Sequence, residues 1–148
     1  MNDLVTWLSA QLDEDERIAV AAASLCGCHG PAPEWDFADD DNGGRIAIRD
    51  NPHPDIRQRL TGRWNRSYND LFIARHIAHH DPARVLAEVA AKQEVLDHAK
   101  EWAATLRHTP DGWTEQTATA YRMAMEWTLR LLAAPYADRP GYREEWRP

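Results

Sequence analysis

Lysine is nearly missing from this chain: Lys92 and Lys100 are the only two, and 17 basic residues face 24 acids, 17 − 24 = −7. A balance of that sign repels phosphate backbones and argues against general nucleic-acid binding. Few lysines beside abundant Ala and Arg read as codon bias from a GC-rich genome. Cysteine is as scarce. Cys26 and Cys28 are separated by one residue, so a disulfide between them would close almost no loop, and they read as reduced thiols or metal ligands. No apolar run reaches the length that crosses a bilayer. The opening M-N-D-L-V-T-W-L has neither a basic start nor an unbroken apolar segment, so no secretory leader is read and the cytoplasm is the expected compartment. G-x-S-x-G, a glycine-rich phosphate loop and H-E-x-x-H are all missing, which removes the common signatures of nucleophilic, nucleotide-dependent and zinc-protease chemistry.

What is present fits a single domain over residues 1–148, long enough to bury its own core. Val5, Leu8, Leu12, Ala19 and Ala22 recur at helical spacing, with Trp7 beside them, and predict a first helix from Asp3 to about Ala23. Its acidic run Asp13–Glu16 reads as a solvated face. Leu25 to Pro33 is rich in helix breakers and reads as a loop. Trp35 to Phe37 and Arg45 to Arg49 alternate apolar and polar residues around the turn-forming Asp39–Gly44, which predicts a β-hairpin. That turn lacks the register and closing Glu of a calcium loop. A short helix or strand is expected within Ile56–Asn65.

Asn69 or Asp70 can cap the next helix, in which Phe72, Ile73, His76, Ile77 and His80 share a face. Asp81 then supplies a cap, and Pro82 a first position that needs no amide partner, so a new helix starts there. Val85, Val89, Lys92, Leu96, Ala99, Ala103 and Leu106 step by four and three along it as a packing seam, interrupted by the charge of Lys92. After the turn H-T-P-D-G, Thr114 caps a further helix. Ala118, Tyr121, Met125, Thr128 and Leu132 should form its apolar face, widened by Trp127 and Leu131. The expected fold is therefore mainly α (α+β): three long helices plus a shorter one, with a small β-hairpin after the first helix. Residues 135–148 form an aromatic tail, with Tyr136, Tyr142 and Trp146, packed on the body or on a partner.

His76 and His80 lie one helical turn apart, a spacing at which two imidazoles can grip one divalent cation. Together with Cys26 and Cys28 they would complete a tetrahedral structural zinc set, although C-x-C is tighter than the usual cysteine pair. The competing reading is half-buried, hydrogen-bonded imidazoles. His80-Asp81 with His76 also admits a metal-dependent hydrolase, for which Asp97-His98 is the only other doublet. His29, His53, His98 and His108 read as surface residues.

Three strings carry a family resemblance: L-D-E-D-E at Leu12–Glu16, H-I-A-H-H-D-P-A-R-V-L at His76–Leu86, and T-L-R-L-L-A-A-P-Y-A-D-R-P-G-Y-R-E-E-W-R-P at Thr128–Pro148. Over about half its length the chain resembles a family of small acidic proteins without assigned function from GC-rich Gram-positive bacteria and their phages. The resemblance implies no activity. Relatives often carry Pro-Cys ahead of the segment matching Thr128–Arg130, where this chain has Glu126-Trp127, leaving Cys26 and Cys28 as its only thiols. The functional expectation is a non-enzymatic protein-interaction or regulatory module, phage- or mobile-element-associated. Its partner would be another protein or a second copy, met by the acidic first helix, the seam around Lys92 or the aromatic tail. The alternatives are the structural zinc protein and the hydrolase, so the cofactor is none or zinc.

Overall fold

A computed structural model describes residues 2–24, 34–40, 43–48, 68–106 and 108–148. Among them the chain is mainly α: α1 (Asn2–Ala23), β1 (Trp35–Asp40), β2 (Gly43–Ile48), α2 (Tyr68–His79), α3 (Pro82–Thr105) and α4 (Glu115–Ala133), then single 3₁₀ turns at Ala134–Tyr136 and Glu144–Trp146. Three helices are long and α2 is shorter, as the apolar spacing predicts. The cysteine loop at 25–33 and the element expected at Ile56–Asn65 lie outside the described residues. The chain divides into two compact units, Met1–Glu14 with Val89–Pro148, and Asp15–Glu88.

In the first unit the buried side chains come from α1 (Leu4, Val5, Leu8, Leu12), α3 (Val89, Leu96, Ala99) and Leu106 just after it, α4 (Ala118, Leu129, Ala133) and the tail (Tyr136, Trp146). The α3 positions follow the predicted seam. Lys92 does not break it, because its ammonium lies 5.8 Å from the centre of the Tyr136 ring while its stem stays half-buried. The tail is held on α1 through Trp7, whose ring meets Tyr142 edge-on at 5.5 Å and Trp146 at 5.3 Å, and whose Nε1 donates to the Pro140 carbonyl at 3.0 Å. That approach requires Gly141: its φ is +84°, and a Cβ there would stand 3.0 Å from Trp7 Nε1. Arg143 adds an ion pair to Asp3 at 2.9 Å and lies over the Trp146 ring at 5.1 Å.

The turn before α4 ends with Trp113 N donating to Pro110 O, Gly112 at φ +80° supplying the left-handed residue. Thr114 Oγ1 then accepts from Thr117 N at 3.1 Å, the predicted cap. Trp102 stacks on Trp113 and contacts Tyr121, joining α3, the turn and α4.

In the second unit, β1 and β2 pair antiparallel from Trp35↔Ile48 to Asp40↔Gly43. The strands run further into Asp39–Gly44 than the alternation suggests, because Asp39 pairs with Gly44 and Asp40 with Gly43. The hairpin packs on α2, with Ile46 and Ala78 buried.

Candidate functional site

Asp81 is where the second unit is pinned. Its Oδ1 accepts from Arg84 N at 2.8 Å, capping α3, and its Oδ2 accepts from Trp35 N at 3.1 Å, tying the first strand to the helix junction. Pro82 is buried beside it. Both carboxylate oxygens are thus engaged by backbone amides. On the same junction Arg84 reaches Glu88 at 2.9 Å and the His79 carbonyl at 3.2 Å.

His76 and His80 stand on one side of α2 with ring centres 4.5 Å apart, and His79 meets His80 edge-on at 5.6 Å. All three are exposed, and Ile73 on the same side is 44% exposed. The half-buried placement expected of these imidazoles therefore does not occur, while among the described side chains of the helix Ala78 is buried and Ile77 half-buried. Local loss of hydration, then the Arg84 guanidinium and the neighbouring imidazoles, hold His80 below the ordinary imidazole range. Among the described residues no group of three His, Cys, Asp or Glu side chains could hold a metal. Cys26 and Cys28 lie outside them.

In the first unit, an open groove is lined by Asn2, Val5 and Thr6 of α1 and by Ala99, Lys100, Ala103 and Ala104 of α3. Its one charged side chain, Lys100, is paired with Asp97 at 2.8 Å. A smaller apolar pocket lies between α3 and α4, lined by Trp102, Leu106, Tyr121 and Met125 among others. Neither brings a nucleophile and a base together.

The least expected surface belongs to α4. Its buried side is Ala118, Leu129 and Ala133, so Trp127 and Leu131, which the periodicity assigns to the core face, stay outside at 52% exposure each, and Met123 is 68% exposed. Thr128 is exposed as well. After Glu115 the exposed positions of the helix are Gln116, Thr117, Thr119, Ala120, Met123, Ala124, Trp127, Thr128 and Leu131, without a charge among them. The charges Arg122, Glu126 and Arg130 form one row at four-residue spacing, half-buried along a single flank. They are the signal that could have located this face: with these charges on one flank, two sides of the helix are left without charge, of which the core takes one.

The family of unknown function (DUF6221) matches residues 1–148. The chain belongs to that family. The match extends over the entire sequence, beyond the half that the three quoted strings cover. No curated protein and no solved structure matches the chain significantly. Membership in DUF6221 thus carries no chemistry of its own, and the functional reading rests on the surfaces above. No helix of the described residues is long and apolar enough to cross a membrane.

Proposed function

We propose that this DUF6221 protein is a non-enzymatic interaction module that docks through the solvent face of α4. The carrying observation is the row Met123, Trp127 and Leu131, each more than half exposed on a face without charge. Large apolar residues left together in water mark contact surfaces, and tryptophan is the side chain most enriched at their centres. Two surfaces favoured by sequence alone are used internally instead. Trp146 and Tyr136 of the tail are buried, and Lys92 rests on the Tyr136 ring. A photo-crosslinking residue placed at 127, compared with one at the exposed Asp138, tests the reading in cells that express the chain. Discrete adducts from 127 alone are expected. Equal or no labelling from the two positions would sink the idea.

A second reading, a structural zinc site of Cys26, Cys28, His76 and His80, draws its support from the two imidazoles one turn apart on an exposed helix side. The hydrolase variant is weaker, because both oxygens of Asp81 already serve backbone amides. Elemental analysis of untagged protein decides the zinc reading. It requires about one zinc per chain, lost in His76→Ala together with thermal stability, and metal-free protein rules it out.

A further inference from the structure

We infer that the occupant of the α4 face is a second copy of this chain, an inference that rests on the docking role proposed above. Two parallel rows at four-residue spacing cross the outer side of the helix, and a third runs along its flank. The charged row is Arg122, Glu126 and Arg130, the large row is Met123, Trp127 and Leu131, and the small row is Ala120, Ala124 and Thr128. Rows at this spacing are the ridges that interdigitate when helices cross at about −50°. A large row beside a small one is self-complementary: in a two-fold pair the large row of each copy lies on the small row of the other.

Charge does not oppose this occupant at the face itself. The chain carries −7, so two copies repel, and least where neither presents a carboxylate. At the rim Arg122 is paired with Glu115 at 2.8 Å and Arg130 with Glu126 at 2.6 Å. These charges are neutralised within their own helix and call for no acidic or basic partner. Area sets the strength. The face from Gln116 to Leu131 is about 24 Å long on a helix about 10 Å wide, well short of the roughly 800 Å² per partner of a standard stable interface. The pair therefore forms and dissociates with concentration.

Sedimentation velocity of the full chain over a hundredfold dilution tests this. The weight-average mass should rise toward twice 16.9 kDa at the upper end and fall to the monomer at the lower. Trp127→Glu should weaken the pair at least tenfold. Ala124→Trp separates shape from stickiness: filling the small row should also weaken the pair at least tenfold, whereas a surface that associates only by apolar area would associate more strongly. Both substitutions are at exposed positions, and unchanged circular dichroism confirms the fold. A wild-type monomer throughout, or a dimer indifferent to both substitutions, overturns the inference. A monomer that still gives adducts with a different protein from position 127 leaves the docking role standing, and a monomer without adducts removes both.

Discussion

Asp81 shows how one side chain can be read correctly for a reason that covers half of what it does. Its place before Pro82 predicts a helix cap, and Oδ1 does accept the Arg84 amide at 2.8 Å. The bond from Trp35 N to Oδ2 spans 46 residues, and no local pattern announces it. Replacing Asp81 by Ala removes a cap and leaves a part-buried strand amide without its acceptor, so a loss of about 1–3 kcal/mol is expected. Urea unfolding should show a lower midpoint with an unchanged slope, and Asp81→Asn should recover part of the loss. A midpoint equal to wild type would contradict the double role. The histidines teach the opposite lesson. Their four-residue spacing was legible, and it placed His76 and His80 on one side of a helix. Whether that side faces core or water depends on how the hairpin packs on α2, which spacing does not contain.

At the scale of elements, boundaries were legible where the chemistry is local. Thr114 and Pro82 begin their helices, and the α3 seam from Val89 to Leu106 is buried as its periodicity requires. The inward side of α4 follows the periodicity at Ala118, Tyr121, Met125 and Leu132, but Thr128, Trp127 and Leu131 do not belong to it, because apolar residues occupy two faces and periodicity alone does not choose between them. Its start has an electrostatic consequence. Thr109 donates to the Glu115 carboxylate and Arg122 pairs with it, and these hold Glu115 below the usual carboxylate range. A depressed carboxylate contributes stability above its unfolded value that is lost as pH falls through the folded one. The opening of the first-turn amides of α4, read as the exchange rate divided by the intrinsic rate at the same pH, should accordingly increase as pH falls below the ordinary carboxylate range. In Glu115→Gln that acid-dependent increment should vanish, and an identical pH profile in the two proteins would refute the assignment.

For the whole molecule, charge is the property that composition settles best. At −7 no phosphate-binding strip is expected, and the exposed α4 face offers none. Incubation with duplex DNA at physiological salt should leave its electrophoretic mobility unchanged, whereas a salt-sensitive shift would reveal a basic face that the net charge hides.

By itself, the sequence determined the helical class, the caps Asp81 and Thr114, the hairpin and membership in DUF6221, because each depends on residues near one another along the chain; α2 starts at Tyr68, ahead of the expected caps Asn69 and Asp70. Only the tertiary structure decided that the tail closes on Trp7, that Asp81 holds a strand as well as a helix, that the histidines face outward, and that the uncharged side of α4 remains in water. Those outcomes depend on which combination of several competent surfaces packs with the lowest free energy. Burial is a property of the assembled chain, and a residue's neighbours in sequence do not contain it.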